Sequence, residues 1–196
     1  MATSILDFWS LICETKCSVV VLVCPLFEND QESCYPFWPN EVGSVSQCGS
    51  FSITCIQART QSTLTTYKII LGNNKLTSSL EMSLYHYTTW TERGRPDSLV
   101  LFNLMSEIDI IKQKRQKDAP VIVACNDGLG RSCTFIAIWS LIEQLKTEGQ
   151  IDVLNTVKSI RTQRPGAIPE LEQYILCHEV VVDYLDAFEE YSNFKY

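Results

Sequence analysis

The stretch APVIVACNDGLGRSC, residues 119–133, decides the fold. Residues 119–124 are short and wholly apolar, the pattern of a strand buried on both faces rather than of one with a wet side. Cys125 follows, then five residues, then Arg131, and residues 132–146 form a strongly apolar helical stretch. A buried strand, a glycine-containing loop and a helix in immediate succession predict an α/β fold, with a twisted mixed sheet flanked by helices.

The loop between strand and helix also carries chemistry. The backbone N–H groups of Asn126, Asp127, Gly128, Leu129, Gly130 and Arg131 can converge on one point, and Gly128 and Gly130 allow the tight, φ > 0 backbone this needs. The N-terminus of the following helix adds its partial positive charge. The result is an anion cradle of phosphate size, in which Arg131 can clamp two oxygens with its planar fork. The same field favours a thiolate at Cys125, and Ser132 can give that sulfur a hydroxyl hydrogen bond. A thiolate at the floor of a phosphate cradle is a nucleophile for phosphoryl transfer.

Working outward, the remaining chain supports one α/β domain over residues 1–196. Residues 5–13 have helical spacing, with Thr3 or Ser4 as N-cap. Residues 17–24 (CSVVVLVC) read as a second buried strand, ending at Pro25. Residues 27–50 read as loop. Residues 51–59, 65–71 and 81–89 alternate as strands do, and Gly72-Asn73-Asn74 punctuates the last two, predicting an antiparallel meander. Residues 99–117 read as a helix ending in a basic turn. Helices are also predicted over 152–164, closed by Pro165-Gly166, and over 170–188.

Composition narrows the function classes. With 45% hydrophobic and 20% charged residues the chain is globular, neither disordered nor fibrous. At 196 residues it can bury roughly 70% of its unfolded surface without staples. The net charge of −7 and the lack of a Lys/Arg stripe argue against nucleic acid or an anionic membrane as partner. The nine cysteines are irregularly spaced and form no Cys-x-x-Cys pair, and the two histidines, His86 and His178, stand far from any paired cysteines, so no zinc site or other cofactor is expected. No secretory signal leads the chain, and its longest apolar run, residues 19–27, is too short to span a bilayer. Reduced, mostly buried thiols in a cytoplasmic setting follow.

Cysteine-based phosphoryl transfer also needs a proton for the leaving oxygen. Glu92, in WTERGRP (residues 90–96), is the candidate acid; Trp90 and Pro96 can hinge its loop and Gly94 lets it move. Asp97 and Asp127 are rivals. Asp127 lies inside the cradle, where its carboxylate would repel phosphate unless it points outward.

These residues resemble the protein-tyrosine phosphatase family. Its signature, His-Cys-x5-Arg-Ser/Thr-Gly, is met by Ala124, Cys125, NDGLG, Arg131, Ser132 and Cys133. Its mobile Trp-Pro-Asp loop is matched by Trp90, Thr91 and Glu92, continuing to Pro96. Cys34 to Pro39 (CYPFWP), Asp7-Phe8-Trp9 and residues 152–174 match further family segments. The likeness is nearest to the second, membrane-distal domains of receptor tyrosine phosphatases, which often carry Glu at the acid position and are commonly weak or inactive.

The resemblance implies phosphotyrosine proteins as substrates and a cysteinyl-phosphate intermediate. In those roles stand Cys125 as nucleophile, Arg131 and the loop amides as phosphate ligands, Ser132 as support, Glu92 as acid and Gln173 as the second of the family's two glutamines. It also implies another phosphatase domain as partner and a cytoplasmic location, as the inner part of a receptor if the chain is a fragment.

Several departures point toward low turnover or toward a phosphate-binding, redox-sensing or protein-interaction domain without catalysis. Ala124 replaces the signature His, Thr91 the loop Pro, Cys133 a Gly and Pro169 the water-positioning Gln. Family domains also begin well before the Asp-Phe-Trp segment, with a phosphotyrosine-recognition loop for which this chain has no counterpart. A redox role would pair Cys125 with Cys133, although Cys133 reads more simply as a small core filler. Trp38 and Trp139 read as core rather than ligand platforms, and His86 and His178 as structural or exposed. Glu189-Glu190 reads as a solvated helix end, and the basic run 112–117 as a helix end and turn.

Overall fold

The structure, a computed structural model, describes residues 2–74, 79–114 and 119–193. Its two compact units interleave along the chain: residues 1–89 with 108–124, and residues 90–107 with 125–196.

The first unit is built on a twisted six-stranded mixed sheet. Its strands are β1 (Val19–Leu22), β4 (Val45–Cys48), β5 (Phe51–Gln61), β6 (Leu64–Asn73), β7 (Leu80–Tyr87) and β8 (Val121–Ala124), in the order β4-β5-β6-β7-β1-β8. The predicted meander is present as β5, β6 and β7, paired antiparallel, with a bulge between Cys55 and Gln57. β1 runs parallel to both neighbours, with Val20 opposite Leu84 on one side and Ile122 on the other. That central position explains its unbroken apolar run, since every residue from Val19 to Cys24 is buried.

Helix α1 (Ala2–Thr15) flanks the sheet through a relay of edge-to-face rings. Phe8 meets Phe37 at 4.8 Å, Phe37 meets Trp38 at 4.8 Å, and Trp38 meets Tyr67 of β6 at 5.6 Å and His86 of β7 at 5.4 Å. Such pairs add specific geometry to ordinary apolar burial. Trp38 is therefore core, as expected. His86 is structural: it is buried, its Nε2–H donates to the Cys24 carbonyl at 3.0 Å, and burial holds its pKa below the usual histidine value.

Three expectations need correction. Residues 27–50 are not all loop; they include β2 (Phe27–Glu28), β3 (Gln31–Glu32) and the edge strand β4. These are too short, and largely too exposed, to leave an alternating pattern in sequence. β8 is apolar but only half-buried, because it is an outer strand of the sheet and not a central one. Only five cysteines are buried, namely Cys17, Cys24, Cys55, Cys133 and Cys177; Cys13, Cys34 and Cys48 are half-buried along with Cys125.

The second unit is helical. α3 (Arg131–Glu148) packs against α4 (Val153–Gln163) and α5 (Leu171–Asn193), burying Phe135, Ile138 and Leu141, with Val157 of α4 and Val180 of α5 equally buried. α4 is capped by Asp152, whose carboxylate accepts from the Asn155 N–H at 2.9 Å, and α3 ends on Gly149 in the left-handed region. Helix α2 (Ser98–Lys114) contributes its part up to Glu107 to this unit and the rest to the first. Trp139 is half-buried, edge-on to Phe135, and His178 is exposed, edge-on to Tyr174. Residues 115–117 of the basic run and the side chains of Thr3, Glu189 and Glu190 lie outside the described residues. No described helix is long and apolar enough to cross a membrane.

Candidate active site

The site assembles within the second unit, on the loop that leaves β8 and enters α3. Cys125 is half-buried, and the Gly128 N–H donates to its Sγ at 3.2 Å. Ser132 Oγ lies 3.2 Å from the same sulfur, within reach of the hydrogen bond the sequence suggested. Arg131, the first residue of α3, is 2% exposed. Its Nη1 donates to the Trp90 carbonyl at 2.8 Å, which ties residues 90–96 to the cradle.

The two loop glycines serve different ends. Gly128 takes φ +68°, as expected, and a Cβ there would also come within 2.9 Å of Arg164. Gly130 has φ −76°, so left-handed backbone is not what it provides. It is small because a Cβ would meet Gln173 Nε2 at 2.7 Å. Close approach, not torsion, demands that second glycine.

Asp127 is the least expected part of the loop. The residue is exposed, yet its Oδ1 turns inward. It accepts from the Leu129 N–H at 2.9 Å and the Gly130 N–H at 3.2 Å, and it lies 3.1 Å from Cys125 Sγ. Burial pushes its pKa upward, but the hydrogen bonds from Leu129, Cys125 and Gly130 outweigh that and hold it below the ordinary carboxylate value.

Sequence reasoning passed over the braces behind the loop. Arg164 Nε donates to the Gly128 carbonyl at 2.7 Å. Arg161 donates to the Ala167 and Ile168 carbonyls at 2.9 and 2.7 Å, and the Ile168 N–H donates to the Leu129 carbonyl at 2.9 Å. Ile168 itself takes φ +54°, a costly conformation for a β-branched residue that this network holds in place. The available signal was the pair Arg161 and Arg164 just before Pro165-Gly166, at a helix end where carbonyls need donors.

Residues 90–96 form a loop anchored at its ends, with Trp90 and Pro96 buried and Thr91, Glu92, Arg93 and Arg95 exposed. Glu92 and Gln173 line one groove of about 540 Å³, together with Trp90, Arg95, Leu176 and Glu179. Gln173 is buried, and its Oε1 has no hydrogen-bond partner among the described residues. The rival acid Asp97 is engaged otherwise: its Oδ1 accepts from the Leu99 and Val100 N–H groups at 2.9 and 3.3 Å, capping α2. Cys133 is buried, with its thiol 3.6 Å from the Gly128 carbonyl, and burial pushes its pKa up.

Comparison with known proteins gives these residues a lineage. Residues 1–183 match the protein-tyrosine phosphatase family profile. The chain is 36% identical over 191 residues to receptor-type tyrosine-protein phosphatase alpha of Mus musculus, an alignment covering 96% of this chain and 23% of that protein. It is 34% identical over 202 residues to the epsilon receptor of Homo sapiens, covering all of this chain and 28% of the relative. Receptor-type phosphatase F of Mus musculus is 28% identical over 194 residues, covering 98% and 10%. The chain thus spans about a quarter of the alpha and epsilon relatives it matches. With Cys125 set between a strand and a helix, the chain belongs to the protein-tyrosine phosphatase family.

Proposed function

We propose that this domain is a protein-tyrosine phosphatase of low turnover, acting through a cysteinyl-phosphate. The supporting observation is the setting of Cys125, whose sulfur has the Gly128 N–H and the Ser132 hydroxyl each at 3.2 Å, beside a buried Arg131. In this mechanism Cys125 Sγ attacks phosphorus, and the bond to the tyrosine oxygen breaks as Glu92 donates a proton to it. Arg131 and the loop amides hold the non-bridging oxygens. A water then attacks the phosphorus, giving its proton to Glu92 and releasing phosphate and the Cys125 thiolate, with Gln173 as the retained second glutamine beside the site. Ala124, Thr91 and Pro169 each remove a group that the family uses, and the acid–base steps they touch contribute roughly 10²–10⁴-fold. Low turnover follows.

The substrates in this reading are phosphotyrosine proteins on the cytoplasmic side of a receptor, with another phosphatase domain as partner. Neither nucleic acid nor membrane insertion has a part. The second reading is a regulatory domain without catalysis, favoured by Pro169, which lacks an amide where the family uses one. Redox sensing through Cys125 and Cys133 is disfavoured, because burial leaves Cys133 little thiolate with which to attack a sulfenate.

Hydrolysis of phenyl phosphate by the purified chain, beside Cys125→Ser and Arg131→Ala, separates the readings. Slow turnover by the wild type that both variants abolish supports the enzyme. A wild-type rate no higher than that of Cys125→Ser leaves the regulatory reading.

A further inference from the structure

We propose that the Asp127 carboxylate is a resident competitor for the phosphate cradle, so that a substrate phosphoryl group enters only after this side chain swings out. The inference rests on reading residues 125–131 as that cradle and adds its regulation. Three distances converge on one oxygen: Asp127 Oδ1 is 2.9 Å from the Leu129 N, 3.2 Å from the Gly130 N and 3.1 Å from Cys125 Sγ. An oxygen bonded to loop amides and accepting a hydrogen bond from the Cys125 thiol at 3.1 Å stands where a non-bridging oxygen of a bound phosphate would stand. The amides concerned lie just before α3, where no intrahelical acceptor exists for them and the helix N-terminus favours an anion over water.

Two further observations favour competition over permanent closure. Asp127 is exposed at the loop, so rotation of its side chain returns the carboxylate to water, whose hydration offsets the hydrogen bonds given up. The cradle behind it is braced independently, through Arg164 on the Gly128 carbonyl at 2.7 Å and Ile168 on the Leu129 carbonyl at 2.9 Å. It therefore keeps its shape when the carboxylate leaves. Phosphate carries more charge than one carboxylate and also engages Arg131, which lets it win at sufficient concentration.

Calorimetric titration of the folded chain with inorganic phosphate tests this, comparing wild type, Asp127→Ala and Asp127→Asn, each checked for a cooperative thermal transition. Displacing a charged hydrogen-bonding group should count for at least about tenfold in affinity. Asp127→Ala is expected to bind phosphate more tightly by that factor. Asp127→Asn, which keeps the shape and local hydrogen bonds and so guards against misfolding, should fall between. Equal affinity in all three overturns the competitor role and leaves the cradle reading standing. No phosphate binding by any folded variant overturns both.

Discussion

Residues 125–131 and residues 90–96, the loops to which the proposed function assigns the nucleophile and the acid, are organised differently. In the first, polar groups have internal partners: Gly128 serves the sulfur, Leu129 and Gly130 serve Asp127, and Arg161 and Arg164 brace the backbone from behind. In the second, Trp90 and Pro96 are buried, the Gly94 N–H donates to the Thr91 carbonyl at 3.0 Å and Arg95 pairs with Glu179 and Asp183 at 2.5 and 2.6 Å, while the Glu92 side chain is exposed between them. Preorganised amides are where electrostatic stabilisation of a transition state comes from. Here the Leu129 and Gly130 amides are already satisfied by an internal carboxylate, whereas Glu92, the proposed acid, is accessible to solvent. Arg131, through its hydrogen bond to the Trp90 carbonyl, is the link between the two loops.

The largest expected effect sharpens the role of the open loop. Glu92→Gln should slow phenyl phosphate hydrolysis by about 10²-fold, because the phenolate is a poor leaving group that needs the proton. Hydrolysis of 2,4-dinitrophenyl phosphate, whose leaving group needs no proton, should change little. Equal losses on both substrates would remove Glu92 from acid catalysis and erase the contrast. A smaller effect separates Asp97 from Glu92. Asp97→Ala removes the cap of α2 and should cost about 1 kcal/mol in urea unfolding. It should leave the dependence of rate on leaving group unchanged; a loss of that dependence would mark Asp97 as the acid.

The smallest effect concerns the filled loop. The pKa of Asp127 is lowered in the fold, so its contribution to stability is complete above the unfolded carboxylate value of about 3.9 and is lost as pH falls through the lower folded value. Asp127→Asn should lack that acid-side component. Urea midpoints at pH 5 and pH 3 should therefore differ less for Asp127→Asn than for wild type. Identical differences would mean that the amides do not hold the carboxylate in solution.

How far the sequence could be read depends on how locally each feature is encoded. The helix over residues 5–13, the meander and the strand–loop–helix at 119–133 were legible because period and turn chemistry lie within a few residues. The strands β2, β3 and β4 were not, being too short and exposed to show a period. The half-burial of β8 was not, because an outer strand and a central one can share the same apolar letters. In the site, Cys125, Arg131, Ser132 and the tight φ at Gly128 were readable from the loop itself. The demand on Gly130 was not, since it comes from Gln173, whose position depends on how α5 meets α3.

Residue types and their spacing by themselves determined the class of this protein: an α/β fold, a thiol and a guanidinium flanking a loop of amides, and a family to which that arrangement belongs. Tertiary structure alone decided the state of the site. Whether the Asp127 carboxylate points into the cradle or away from it is a choice of side-chain torsion, and a torsion is set by the donors that surround it. Those donors, the amides of Leu129 and Gly130 held by Arg164 and Ile168, converge only when the chain has folded.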